Sequence, residues 1–171
     1  MSLSSPHQQT VLQHSAVKGI QGFALLSPPL ILARALIARR FPSLSSSLRS
    51  LTLGTFLVGP AAGGVVELGR LYWQGISDAE LEDKSARLKA SASQRQADDY
   101  AVIGGVLGSL VGTTLFLRRA PLVWVIGGGA SLGVAGGVLT HVAKGYAEGE
   151  DTVSPVMVKE EVKGAVGAKG R

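Results

Sequence analysis

Residues 100–143 read YAVIGGVLGSLVGTTLFLRRAPLVWVIGGGASLGVAGGVLTHVA. Two apolar stretches, about Tyr100–Leu117 and Leu122–Ala143, are parted only by Arg118, Arg119, Ala120 and Pro121. Each approaches the ~20 residues that carry a helix across a hydrocarbon core. So short a connection makes the two helices antiparallel neighbours. Within each, glycine recurs every fourth residue: Gly104, Gly108 and Gly112, then Gly129, Gly133 and Gly137. Positions four apart share one helix face. Without side chains that face becomes a groove in which a second backbone lies close, the contact that binds helices in lipid. Gly105, Ser109 and Thr113 widen the small face of the first stretch. The expectation is a tight hairpin closed by tandem glycine zippers; a flexible glycine-rich helix is the plainer alternative.

Two further apolar segments lie upstream, about Ala16–Ala38 and Leu51–Trp73, the second carrying Gly59 and Gly63. Four such segments predict an all-α membrane protein, its four transmembrane helices arranged as two antiparallel hairpins. Composition agrees. Charged residues make up 17% of the chain, against roughly 25% in globular proteins. There are 23 glycines in 171 residues, and the mean hydropathy is +0.28. The net charge of +5 has no long basic run behind it, so nucleic acid is not the expected partner; the lipid bilayer is. With no cysteine, disulfides and thiolate chemistry are excluded. Met1–Gln13 has no Lys or Arg and no apolar core, unlike a cleavable presequence.

The first segment contains Pro28–Pro29. Two missing amide donors predict a break or kink there, giving two half-helices or a helix that starts near Pro28. Arg34 lies inside this segment, close enough to the end at Arg39 and Arg40 to snorkel. Each odd segment closes on Arg-Arg-x-Pro: Arg39, Arg40, Phe41, Pro42, and Arg118, Arg119, Ala120, Pro121. These arginines suit lipid headgroups, and they set an orientation. The connections holding Arg39, Arg40 and Arg49, and Arg118 and Arg119, contain no acid, so they face the cytoplasmic or matrix side. Both termini and the connection Gly75–Asp99 then face the opposite side. That connection reads as a helix of about 77–97, opened by the capping-box pattern Ser77-Asp78-Ala79-Glu80. Its thin apolar stripe, Leu81, Leu88 and Ala92, suits an interface, a partner or plain solvent. Residues 1–15 and 149–171 read as an N-terminal segment and an extended tail.

Few residues carry chemistry. Glu67 and Arg70 lie three apart near the end of the second segment and are placed to pair. A proton path or polar pore lining is the sharp reading. A structural ion pair or partner contact is favoured, because Tyr72 and Trp73 mark the membrane boundary directly after them. His141 sits beside Lys144 and Tyr146 as an interfacial residue, and His7 and His14 give no metal-ligand spacing. Gly127-Gly128-Gly129 lacks the lysine of a phosphate-binding loop. Neither a cofactor nor a catalytic set is expected.

Four spans, glycine zippers, arginine-rich odd connections and the absence of a presequence resemble the TIM-type four-helix proteins of the mitochondrial inner membrane, over about Ala16–Tyr146. That superfamily includes import-translocase subunits and an accessory subunit of respiratory complex I. Chain size, Pro6-His7-Gln8-Gln9 and the charged helical connection are similar to the small accessory membrane subunits of fungal complex I, of the NUXM type. The resemblance implies a non-catalytic inner-membrane subunit with both termini in the intermembrane space. It further implies core and accessory membrane subunits of the complex as partners, and cardiolipin as a bound lipid. A protein translocase component or small channel, with Glu67 lining a hydrated path, is the alternative; a membrane enzyme ranks last.

Overall fold

The computed structural model describes residues 6–74 and 78–148. It contains five helices: α1, Pro6–Ala38; α2, Leu44–Gln74; α3, Asp78–Ala90; α4, Ala92–Phe116; and α5, Leu122–Glu148. No strand occurs among the described residues. All but α3 are long and apolar enough to cross a membrane.

Helix α1 starts ten residues ahead of the expected Ala16, so most of the supposed N-terminal segment is helical. Pro6 suits a first helical position, where a missing amide costs nothing. What holds this extension lies far away in sequence. Val11 is buried with Leu71 and Leu81, and Leu88 packs against them. Leu81 and Leu88 of the thin stripe therefore pack with Val11 from the chain's own N-terminal helix. About 31 Å of helix separates Lys18 from Arg39 at 1.5 Å per residue, a full hydrocarbon thickness.

The expected break at Pro28–Pro29 is absent: α1 runs through both prolines as one helix of 33 residues. Only the two proline amides are lost, and the ladder resumes on either side. Ser27 Oγ donates to the Phe23 carbonyl at 2.6 Å, one turn ahead of the pair, and with Ala24 and Ser27 buried against the rest of the bundle, packing of neighbouring helices holds α1 through the prolines. The helix ends where Arg39 takes a left-handed φ of 50°. Arg40 N donates to Ala35 O at 3.2 Å and Arg39 N to Leu36 O at 3.3 Å, the paired bonds of a Schellman turn in which glycine is the usual left-handed residue.

Helix α2 begins at Leu44, ahead of the expected Leu51. Its serine-rich start looks like a connection, yet Ser43 Oγ caps it by accepting from Ser46 N at 3.3 Å. Leu48 and Leu51 are buried with Val125 of α5. A single π-helical turn occupies Gly54–Val58 and closes with Gly59 N donating to Gly54 O. Pro60 follows directly; the wider turn makes room for its ring and missing donor.

The connecting helix expected over 77–97 is two elements. Helix α3 ends at Ala90, Ser91 is extended at φ −72° and ψ 103°, and the polar residues that follow open the spanning helix α4. Ser77, the first residue of the capping box, and the tail 149–171 lie outside the described residues. Helix α5 continues past Ala143 to Glu148.

Helices α4 and α5 pack antiparallel, Gly104 facing Gly137 and Gly112 facing Gly129; α1 and α2 meet where Gly19 faces Gly59. The two pairs join along Ala24, Ala101, Val134 and Ala135. They also join where Leu48 and Thr52 lie over Gly128 and Gly127. Deep between them, Thr55 Oγ1 and Ser131 Oγ share a hydrogen bond of 2.5 Å, both residues being 0% exposed. Replacing Thr55 by valine keeps the shape and removes the bond. The expected loss is about 1 kcal/mol, read as a lowered midpoint of unfolding in mixed micelles. It is small because Ser131 can turn back to its own helix backbone.

Candidate functional site

Charge divides the bundle into two ends. One end gathers the N-terminal half of α1, the last turns of α2, all of α3, the start of α4 and the end of α5. Here Lys18 Nζ donates to Asp98 Oδ1 at 2.8 Å and to Gln21 Oε1 at 3.0 Å, and Gln21 Nε2 donates to the same Asp98 oxygen at 2.7 Å. These bonds tie α1 to α4 through residues 77–80 positions apart. A second clasp joins α3 to α2: Lys84 Nζ meets Glu67 Oε1 at 2.5 Å. Beside it His7 Nδ1 and Ser85 Oγ lie 3.1 Å apart, linking α1 to α3.

Glu67 is 8% exposed, so its charge needs a close partner. Its expected pairing was with Arg70; the short contact shown is with Lys84, from a helix that does not span. Arg70 Nε donates to Gln74 Oε1 at 3.3 Å along its own helix. The reach of Lys84 places Glu67 at the end of the bundle. His141 stacks on Tyr100, ring centroids 5.6 Å apart and tilted by 39°, which joins α5 to α4 at the same end. Among the described residues no group of three or more His, Asp or Glu could hold a metal ion.

The other end is cationic. Arg39 and Arg40 form the turn after α1, and Arg118 and Arg119 the turn between α4 and α5, where Arg119 N donates to Phe116 O at 2.9 Å. Arg49 lies over the Trp124 ring, 5.6 Å from its centroid. The two Arg-Arg-x-Pro segments thus both occupy chain reversals at one end.

Between the ends, glycines set the helix spacing. A Cβ built on Gly108 would sit 2.6 Å from the Gly133 Cα, and one on Gly133 would sit 2.7 Å from the Gly104 carbonyl carbon. Gly112 and Gly129, and Gly104 and Gly137, meet in the same register. On the other pair, Gly59 faces Gly19 and Gly63 faces Ser15 and Gly19. Gly22, Gly64, Gly69 and Gly136 face open space. All eight glycines singled out by spacing lie at helix contacts. Gly19 carried no such signal, because its nearest companion, Gly22, is three residues on and points elsewhere. Lys18, Gln21, Asp98 and Lys84 were equally silent, since each finds its partner across the chain.

The outward faces are apolar. Leu36, Leu57, Val66, Leu110 and Val123 are all exposed. A groove of about 580 Å³ runs along α4 and α5 from Tyr100 to Phe116, walled by Leu107, Val111, Leu115 and Leu132. No protein-family model, characterised protein or solved structure matches the chain. The functional reading therefore rests on this geometry.

Proposed function

We propose that the protein is a structural subunit of a large membrane assembly, held together inside so that its outer faces are free to pack against lipid and neighbouring subunits. The observation that carries this reading is how its polar and small residues are used. Lys18, Gln21, Asp98, Glu67, Lys84 and the Thr55–Ser131 pair are engaged with one another, while leucine and valine cover the exterior. In this reading α1 with α2, and α4 with α5, are two hairpins, each closed by a glycine zipper that brings backbones together where hydrophobic force is absent. The clasps then lock the hairpins at one end.

The resemblance to accessory subunits of complex I gives the assembly we favour: the membrane arm of that enzyme in the mitochondrial inner membrane. In that membrane the arginine-rich end would face the matrix and both termini the intermembrane space. A channel or translocase is less favoured because Glu67 is neutralised by Lys84 at the end of the bundle and does not line a path at its middle. The test is purification from mitochondrial membranes in mild detergent. Co-migration with NADH dehydrogenase activity is the expected result. Migration alone, or with protein-import machinery, would remove the assignment to complex I.

A further inference from the structure

The chain reversal after α1 builds a recess that nothing in the fold fills. It measures about 390 Å³ and is lined by Ile31, Ala35 and Phe41 on one side, by Ser46, Ser47 and Ser50 of α2 on the other, and by Arg34 and Arg40. The left-handed turn at Arg39 is what brings Arg40 round to the recess that Arg34 also lines. The three serines share one face of α2, being three and four residues apart.

Two guanidinium groups lining one recess draw counter-charge to it. Among the described residues none provides it locally: residues 6–66 and 100–147 contain no Asp or Glu. Glu67 lies about 25 Å of helix beyond Ser50 and already meets Lys84. Arg49, on the same helix as the serines, is turned to Trp124, and Arg39 is not among the lining residues, so Arg34 and Arg40 are the cations of the recess. Both Arg34 and Arg40 are exposed, so an anion can reach them.

We infer that this recess binds the phosphodiester headgroup of one anionic glycerophospholipid. Planar guanidinium groups match phosphate oxygens in paired hydrogen bonds. Serine hydroxyls suit the remaining oxygens and the glycerol of the headgroup. Ile31, Ala35 and Phe41 supply the apolar wall along which an acyl chain descends. A free phosphate would use the arginines but gain nothing from that wall, so a lipid is the better fit.

The site rests on the membrane reading, and the experiment separates the two. Full-length protein is reconstituted in bilayers of phosphatidylcholine with graded phosphatidylglycerol, then released for native mass spectrometry. One retained phosphatidylglycerol is expected, in preference to phosphatidylcholine. Retention should fall at least about tenfold in the Arg34→Gln/Arg40→Gln variant, as loss of a charged hydrogen-bond pair implies. It should persist in Arg118→Gln/Arg119→Gln, which removes equal charge elsewhere at the same end. If the glutamine pair fails to fold by circular dichroism, Arg34→Lys/Arg40→Lys takes its place; it keeps charge, loses the planar fork, and should lose retention several-fold. Equal retention of both lipids, equal loss in the Arg118 and Arg119 variant, or complete displacement by millimolar inorganic phosphate would each overturn the site. Failure to enter the bilayer at all would instead overturn the membrane reading beneath it.

Discussion

Gly133→Leu is expected to abolish the close packing of α4 on α5, whereas Gly136→Leu, one turn along the same helix, leaves the protein intact. At Gly133 a Cβ meets backbone: the Gly104 carbonyl carbon at 2.7 Å and the Gly108 Cα at 2.9 Å. Backbone in a helix cannot yield as a side chain does, so the two helices must separate along their whole contact. The expected loss exceeds about 3 kcal/mol, at the severe end for overpacking. Gly108→Leu should behave alike, since its Cβ would lie 2.8 Å from the Gly133 nitrogen. Nothing lies within 4 Å of a Cβ at Gly136. Leucine there meets open space and gains helix propensity, up to about 1 kcal/mol. Denaturation in mixed micelles, followed by circular dichroism, reads all three variants. Equal stability of Gly133→Leu and Gly136→Leu would mean that these glycines do not set the helix spacing.

The second large effect is an asymmetry at the Glu67–Lys84 clasp. Lys84→Ala leaves a carboxylate whose side chain is 10% exposed without the ammonium that meets it at 2.5 Å. Such one-sided removal costs about 3 kcal/mol. Glu67→Gln should cost only about 1 kcal/mol. An amide oxygen still accepts from Lys84, and the lysine side chain, 29% exposed, keeps access to water. Replacing both residues by leucine should approach neutrality, because neither buried charge remains. Limited trypsin digestion gives a second readout. Arg87 is already exposed but lies in helical backbone; undocking and fraying of α3 in Lys84→Ala should let trypsin cleave there, and the double leucine variant should protect it again. Equal, small effects from all three variants would show that the clasp contributes nothing to holding α3.

The spanning helices were legible because lipid imposes a length and a hydropathy that a linear reading detects. The four-residue glycine spacing likewise points to one face of one helix, and Gly104, Gly108 and Gly112 do meet Gly129, Gly133 and Gly137. What stayed hidden depends on contacts distant in sequence. Nothing near Val11 says that Leu71 and Leu81 will cover it, so residues 1–15 read as a separate N-terminal segment ahead of the first span. Ser43–Ser50 looked like a loop until the cap on Ser43 and the burial of Leu48 made it helix. Pro28–Pro29 misled in the opposite sense, since a local rule about missing donors ignores the packing that buries Ala24 and Ser27 against the rest of the bundle. Glu67 was recognised as a candidate from its place near the end of the second segment, with Arg70 three residues on as its nearest partner in sequence. Lys84 reaches it from a helix whose docking only the folded chain defines.

The absence of cysteine makes the central claim, that hydrocarbon surrounds these helices, open to direct measurement. Single cysteines are placed at Leu57, Leu110 and Leu132, which are 66%, 59% and 45% exposed in the fold, and at Gln96, in the polar opening of α4 ahead of the apolar stretch that starts at Tyr100. Each variant in sealed vesicles is treated with a membrane-impermeant maleimide before and after detergent. Thiols at the first three positions have no protein covering them, so only lipid can shield them, and a thiol in an apolar medium does not ionise to react. The predicted result is labelling at Gln96→Cys throughout, and at the other three only once detergent is added. Prompt labelling of all four in intact vesicles would mean that water bathes those faces, and the account would fail.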